Sequence, residues 1–286
     1  MQEEQIMTST GLQQGSRAHA GAPATGSGDT TRVVVVVLAA VAQVVGSPLG
    51  SVLSGNSVGD VSDGARSLVT PAGYAFSIWG LVFLGSLAWA VYQALPAQRT
   101  RLVHRVTGWP LAAAFAGNAV WETVYPFGGV WQYVTQVLVF AITASAAVGF
   151  ARLQREEVRA DLRGWARALP AATAGLLLGW VTVAPVAQVG NTGVALGADP
   201  ATTSSEVWAV AAMVAVALVG SLVVLRAHVA AGPFAAAVVW GLVAIAAAGG
   251  PTPVTVAALG AAAVVLVALG VRVASRRVHA GALLVG

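Results

Sequence analysis

The chain contains no cysteine and no lysine, and it has few charged residues. Without cysteine there can be no disulfide bond, no thiolate metal site and no cysteine nucleophile. Charged side chains make up 9% of the 286 residues, whereas a soluble domain carries about 25%. Hydrophobic residues reach 57%, and the mean hydropathy is +0.78. This composition indicates a membrane protein that crosses the bilayer several times.

The basic balance of the chain does not indicate nucleic-acid binding, although the isoelectric point is about 10.3. No stretch outside the apolar segments is long enough to form a soluble domain with a basic face. All fifteen basic residues are arginine, and Ala, Val and Gly are abundant. This residue usage is typical of a GC-rich prokaryote.

Eight apolar segments lie between two polar ends, which predicts an all-α fold with about eight transmembrane helices. Residues 1–31 are polar and rich in Gly, Ser, Ala and Thr, so we expect a disordered N-terminal tail there. Residues 273–286 form the expected C-terminal tail. The apolar segments lie near 33–53, 73–94, 108–126, 130–150, 169–190, 207–225, 233–249 and 252–272.

The placement of arginine predicts the orientation, because arginines that flank membrane helices stay on the cytoplasmic side. With eight helices and a cytoplasmic N-terminus, fourteen of the fifteen arginines fall in cytoplasmic segments, and only Arg66 falls outside. We therefore expect a multi-pass protein of the prokaryotic plasma (inner) membrane with both termini in the cytoplasm. The lipid bilayer is therefore an expected partner of the protein.

The second segment carries aromatic residues that a plain membrane anchor does not need. Pro71 to Gln93 holds no charge, and Trp79 and Phe83 are four residues apart, so they share one helix face. Such a face suits contact with a flat apolar molecule. The alternative is that these rings pack against neighbouring helices.

Polar and aromatic residues form a stripe along the third segment. Asn118, Trp121, Glu122 and Tyr125 follow the spacing of one helix face. Glu122 is the one acidic residue inside a predicted membrane segment, and such carboxylates usually face a bundle interior or a cavity. The alternative is that Glu122, which lies close to the outer end of its helix, reaches the lipid headgroups.

The fifth segment carries a second stripe of this kind, formed by Trp180, Ala184, Gln188 and Asn191. Pro185 cannot donate an amide hydrogen, so the carbonyl of Val181 is freed and a kink is expected. Gly175 and Gly179 form a small-residue patch that favours close helix packing or a homodimer.

No residue pattern for catalysis or metal binding is apparent. The four histidines, at positions 19, 104, 228 and 279, fall in predicted tails or cytoplasmic loops and are interpreted as solvated. We therefore expect no metal and no required cofactor.

Three of the segments together resemble the TspO/MBR family of tryptophan-rich sensory proteins, also called translocator proteins. The resemblance runs from about Val33 to Leu196. It depends on Pro71, Tyr74 and Trp79-Gly80 with Phe83, then Asn118 and Trp121 before PFGG, and finally Trp180, Ala184 and Gln188. Phe83 stands where the family usually has Tyr, and Gln188 stands where it has Asn. Residues 207–272 add three helices to the family's five, so the chain looks like a longer, divergent member.

The resemblance implies a five-helix bundle over residues 33–198, with a pocket that residues 54–70 cover. Family members bind porphyrins, sterols and aromatic drugs, so the resemblance implies a hydrophobic small-molecule ligand such as a tetrapyrrole, with a role in transport or stress signalling. Two other functions stay open: a proton-coupled transporter that uses Glu122, and a membrane enzyme that modifies a tetrapyrrole. The predicted ligand-binding residues are Trp79, Phe83, Asn118, Trp121, Glu122, Trp180 and Gln188.

Overall fold

The computed structural model describes residues 26–161, 165–275 and 280–284. Eight long helices coincide with the eight predicted segments, and the described residues contain no β-strand, which confirms the all-α fold. The helices are α1 (Ser27–Ser54), α2 (Val58–Gly64), α3 (Ile78–Ala94), α4 (Leu102–Val124), α5 (Trp131–Leu153), α6 (Glu156–Asp161), α7 (Trp165–Ala195), α8 (Thr203–Arg226), α9 (Ala231–Ala247), α10 (Thr252–Ala274) and α11 (Ala280–Leu284). Short 3₁₀ turns at Gly73–Ser77 and Tyr125–Phe127 precede α3 and follow α4.

Six of the eight long helices are long and apolar enough to cross a membrane: α1, α3 with its preceding turn, α5, α7, α8 and α10. The other two are α9, which has 17 residues, and α4. In α4 the buried side chains include polar ones, among them His104, Asn118 and Glu122. Their polar groups face other helices of the bundle, which is where a membrane protein tolerates them.

The first helix begins at Ser27, earlier than the apolar run alone predicts, so residues 27–31 are helical and the expected tail is shorter. The cause is Asp29, whose carboxylate accepts hydrogen bonds from Arg32 at 2.6 Å and from Arg105 of α4 at 2.5 Å. These ion pairs stabilise the first turn of α1 and attach it to α4. Residues 1–25 of the predicted tail lie outside the described residues, as do 276–279 and 285–286 of the C-terminal tail.

The start of α4 also lies earlier than predicted, and this corrects the interpretation of one histidine. His104 is fully buried and accepts a hydrogen bond from the indole nitrogen of Trp89 at 3.2 Å. It is therefore part of the α3–α4 packing and not a solvated loop residue. His19 and His279 lie outside the described residues.

Five helices form a closed ring. Helix α1 packs on α3 and α4, α4 packs on α5, α5 packs on α7, and α7 packs on α3. The buried core runs continuously through this ring and on into the C-terminal helices. The ring leaves space between α3, α4, α5 and α7, where the two aromatic and polar stripes meet.

Two prolines inside helices are accommodated by donors from α5. Pro185 leaves the Val181 carbonyl without its helical partner, and the hydroxyl of Thr143 donates to that oxygen at 2.8 Å. Pro110 does the same to Val106, whose carbonyl accepts from the Arg152 guanidinium at 2.8 Å. Hydrogen bonds from the neighbouring helix thus satisfy both carbonyls, which lipid chains could not do.

The C-terminal helices form a second layer, in which α9 packs on α7, α10 packs on α9, and α8 packs on α10. A Cβ at Gly175 would lie 2.9 Å from the Ala230 carbonyl oxygen, and one at Gly179 would lie 2.3 Å from that of Phe234. This small-residue patch therefore serves close packing of α7 on α9 within one chain. It is no longer a basis for a homodimer.

Candidate ligand-binding site

A pocket of about 590 Å³, its opening included, lies inside the five-helix ring. The lining side chains are mostly apolar or aromatic. They come from α2, the chain between α2 and α3, α3, α4, the turn after α4, α5 and α7. They are Ser62, Pro71, Phe76, Trp79, Asn118, Trp121, Tyr125, Val139, Ile142, Trp180, Val181, Val183, Ala184, Ala187, Gln188 and Asn191.

Aromatic rings from α3 and α7 meet on one side of the pocket. Trp79 and Trp180 lie edge to face with ring centroids 6.0 Å apart, and Phe76 meets Trp180 in the same way at 6.1 Å. Phe83 stacks on Trp79 at 5.5 Å. Such contacts fix the orientation of each ring, so the pocket has a rigid aromatic wall.

Another part of the lining is organised by side chains that are already hydrogen-bonded to one another. The Trp121 indole donates to the Gln188 oxygen at 3.2 Å, and the Gln188 amide nitrogen donates to the Thr135 hydroxyl at 3.1 Å. Trp121 also stacks on Tyr125 with centroids 4.5 Å apart. This network joins α4, α5 and α7 and holds the side chain of Trp121 in place.

Asn118 continues the polar contacts toward α1 and α3. Its amide nitrogen donates to the Gln43 oxygen at 3.4 Å, and Gln43 in turn donates to the Ser86 hydroxyl. All three side chains are buried. These hydrogen bonds therefore hold the Asn118 side chain in place in the pocket wall.

Residues 54–70, which we call the lid, pack on the end of α7. The Asn191 oxygen accepts from the hydroxyls of Thr70 at 2.5 Å and Ser67 at 3.1 Å, while its nitrogen donates to the Ser62 hydroxyl at 3.3 Å. At Gly190 an added Cβ would lie 2.4 Å from the Ser67 hydroxyl oxygen. One asparagine thus holds three points of the lid against α7.

Two polar groups of the pocket wall have no partner. The indole nitrogens of Trp79 and Trp180 are buried and make no hydrogen bond to any described residue, although the two residues are only 9% and 3% exposed. Buried indole N–H groups are usually paired.

The structure brings five of the seven predicted site residues to this pocket: Trp79, Asn118, Trp121, Trp180 and Gln188. Phe83 does not line it and lies behind Trp79. Glu122 does not line it either. It is 2% exposed, packs toward α1 with a hydrogen bond to Ser47, and therefore does not reach the headgroups.

Several lining residues were not among the predicted site residues. Tyr125, Ala184 and Asn191 are members of the two stripes seen in the sequence, so predicting every stripe residue as a site residue would have included them. Val139 and Ile142 of α5 carry no such signal, because a pocket-facing aliphatic residue looks like a lipid-facing one. Among the described residues, no group of three His, Cys, Asp or Glu side chains could hold a metal ion.

The fold and the pocket define a class: helical membrane proteins with an aromatic-lined pocket inside a five-helix ring. The sequence profile of the TSPO-like protein family matches residues 31–271, and the chain belongs to this family. The match covers all eight long helices, so the likeness extends past Leu196 into the three C-terminal helices. Searches of the curated proteins and of the solved structures gave no match.

Proposed function

We propose that the protein binds a flat hydrophobic ligand, with tetrapyrroles as the leading class, in the pocket beneath the lid. The observation that carries this proposal is the aromatic wall of Trp79, Phe76 and Trp180 in a mostly apolar pocket inside the five-helix ring. Rings that meet edge to face offer apolar surface to a planar molecule. The proposal also places the protein in a prokaryotic plasma membrane, with the lid end outside and both termini in the cytoplasm.

The arrangement of charge supports this orientation. Arg66 is the single arginine at the lid end among the described residues, and the other described arginines lie at or near the opposite ends of their helices. Arginine-rich ends stay in the cytoplasm. A ligand would then reach the pocket from the outer side, where it either passes onward in transport or triggers a stress response.

Ligand binding is tested by quenching of tryptophan fluorescence with mesoporphyrin dimethyl ester, using protein in lipid nanodiscs. Trp180→Leu should weaken binding at least about tenfold, or ~1.4 kcal/mol, because it removes aromatic contact. Trp131→Leu is the matched control, since that side chain is 44% exposed and lies outside the pocket. Equal loss in both variants, or no saturable quenching at all, would contradict the proposal.

Proton-coupled transport is the second candidate, and Glu122 is the observation behind it. Its carboxylate oxygen Oε1 is buried and unpaired, as a proton carrier's can be. Against this, Glu122 lies between α4 and α1 and does not line the pocket. Glu122→Gln should leave ligand affinity within about tenfold, or ~1.4 kcal/mol. Loss of pH-driven uptake in that variant, with binding retained, would favour the transporter.

An enzyme that modifies a tetrapyrrole has no specific support. The pocket wall contains no His, Asp, Glu or Cys to act as a base or a nucleophile. A light-dependent porphyrin assay separates this alternative from a binder, because only an enzyme would change the absorbance spectrum of the porphyrin with turnover.

A further inference from the structure

We propose that Trp240 of α9 is a positioning residue of the ligand pocket. It does not line the pocket itself. Instead, it holds residues 71–77, which we call the pre-α3 segment, in the conformation that places Pro71 and Phe76 in the pocket wall. This inference rests on the proposed function, and it gives the C-terminal layer a part in a site that lies inside the five-helix ring.

The pre-α3 segment is hydrogen-bonded to α9. The backbone N–H of Ala72 donates to the Ala244 carbonyl oxygen at 2.9 Å, and the Trp240 indole N–H donates to the Ala75 carbonyl oxygen at 2.9 Å. Among the described residues, these are the hydrogen bonds that join the segment to a helix other than α3. Its 3₁₀ turn has no side-chain cap of its own. The position of the segment therefore depends on these two bonds to α9.

Trp240 contacts the segment at two consecutive residues. Its indole N–H bonds to Ala75, which is fully buried, and its ring meets the ring of Tyr74 edge to face with centroids 5.3 Å apart. The hydrogen bond fixes the distance between the indole and the backbone, and the edge-to-face contact fixes the orientation of the two rings. One side chain thus determines where this turn lies relative to α9.

Helix α9 packs closely on the pocket wall at the residue next to Trp240. A Cβ at Gly241 would lie 3.1 Å from Cγ1 of Val183, and Val183 lines the pocket. Close packing of this kind resists small displacements, because protein interiors leave few voids into which atoms can move. Trp240 therefore extends from a helix whose position relative to α7 is already set.

The contact reaches the aromatic wall through Phe76. Phe76 directly follows Ala75, and its ring meets Trp180 with centroids 6.1 Å apart. Trp180 in turn meets Trp79. If the Ala75 carbonyl moved away from α9, the backbone would carry Phe76 with it and open its contact with Trp180. Loss of the Trp240 donor therefore changes the shape of the pocket without removing a group that lines it.

The experiment measures affinity for mesoporphyrin dimethyl ester by absorbance titration in lipid nanodiscs, corrected for partition into protein-free nanodiscs. Trp240→Phe keeps a ring beside Tyr74 and removes the indole donor. It should weaken binding about two- to tenfold, the range expected for one neutral hydrogen bond. Trp131→Phe is the control and should change affinity less than about twofold. Trp131 and Trp240 are 44% and 38% exposed, each has an aromatic neighbour, and Trp131 does not contact the pre-α3 segment.

A double-mutant cycle separates positioning of Phe76 from general packing. Phe76→Leu should weaken binding by itself, because it removes a ring from the pocket wall. Adding Trp240→Phe should then change the affinity of that variant less than about twofold, since the two residues act on one contact. Losses that multiply would show that Trp240 supports the fold without positioning Phe76, and would overturn the inference.

Amide hydrogen exchange in the absence of ligand gives a second readout. In Trp240→Phe, amides of residues 72–78 should lose protection about two- to tenfold. Amides in the middle of α10 should keep theirs, because the loss is local. An equal loss in α10 would mean that the substitution loosens the whole C-terminal layer, and would contradict a positioning role.

Unchanged affinity in Trp240→Phe would overturn the inference and leave the proposed function standing. If the unsubstituted chain does not bind mesoporphyrin dimethyl ester, the proposed function itself fails, and the inference fails with it.

Discussion

Asn191 is expected to control the lid, since it makes three hydrogen bonds to it and is 3% exposed. Asn191→Leu keeps the approximate size and removes all three bonds. Each neutral bond contributes about 0.5–1.5 kcal/mol. Ser67 and Thr70 can still pair with each other, because their hydroxyls are 3.1 Å apart. We therefore expect the free energy of opening the lid to fall by about 1.5–3 kcal/mol.

Amide hydrogen exchange measures this opening directly. A change of about 1.5–3 kcal/mol corresponds to a loss of protection of roughly 10- to 150-fold, confined to amides of residues 62–70. Bound mesoporphyrin dimethyl ester should also dissociate faster. The next residue supplies the control, because the Thr192 hydroxyl donates to Gln136 of α5 and not to the lid.

Thr192→Val should leave exchange in the lid unchanged. Unaltered protection in Asn191→Leu would refute the assignment of Asn191 as the residue that fixes the lid. The same loss in Thr192→Val would show that any change at this end of α7 loosens it.

Three further predictions concern the scaffold. Thr143→Val should lower the free energy of unfolding in SDS by about 1 kcal/mol, because it removes the hydroxyl that donates to the Val181 carbonyl. Adding Pro185→Ala should restore most of this free energy. Thr182→Val is the control and should cost less, since its hydrogen bond lies within α7. Failure of the rescue would mean that Thr143 acts by packing. Gly179→Ala should lower stability by about 1–3 kcal/mol, whereas Gly260→Ala, which has open space around it, should not; equal effects would argue against close α7–α9 contact. In the cysteine-free chain, Ser57→Cys and Thr203→Cys should be labelled from outside the cell, and Ala160→Cys only after permeabilisation. Labelling of position 160 in intact cells would contradict the proposed orientation.

The pocket could be predicted in part because two helices carry residues that differ chemically from lipid-facing ones. Trp180, Gln188 and Asn191 follow helical spacing on α7, and in the structure all three line the pocket. Residues that share a helix face share surroundings only approximately, however. Trp121 and Glu122 are neighbours about 100° apart on the helix, so Trp121 lines the pocket while Glu122 meets α1.

Other features depended on contacts between distant parts of the chain. Because His104 and Arg105 are polar, the apolar pattern predicted that their helix begins only after them. In the fold, Trp89 pairs with His104 and Asp29 pairs with Arg105, so both residues belong inside the helix. Val139 and Ile142 face a pocket only because α5 stands beside α7. Apolar composition alone cannot distinguish that surface from one that faces lipid.

The most direct test of the central claim is protection of a single introduced cysteine by ligand. Ala187 lines the pocket, whereas Ala236 lines a separate apolar groove between α3 and α9. Saturating mesoporphyrin dimethyl ester should slow alkylation of Ala187→Cys by N-ethylmaleimide at least about tenfold and leave Ala236→Cys unchanged. Protection at position 236 without protection at position 187 would place the ligand outside the five-helix ring and contradict the account.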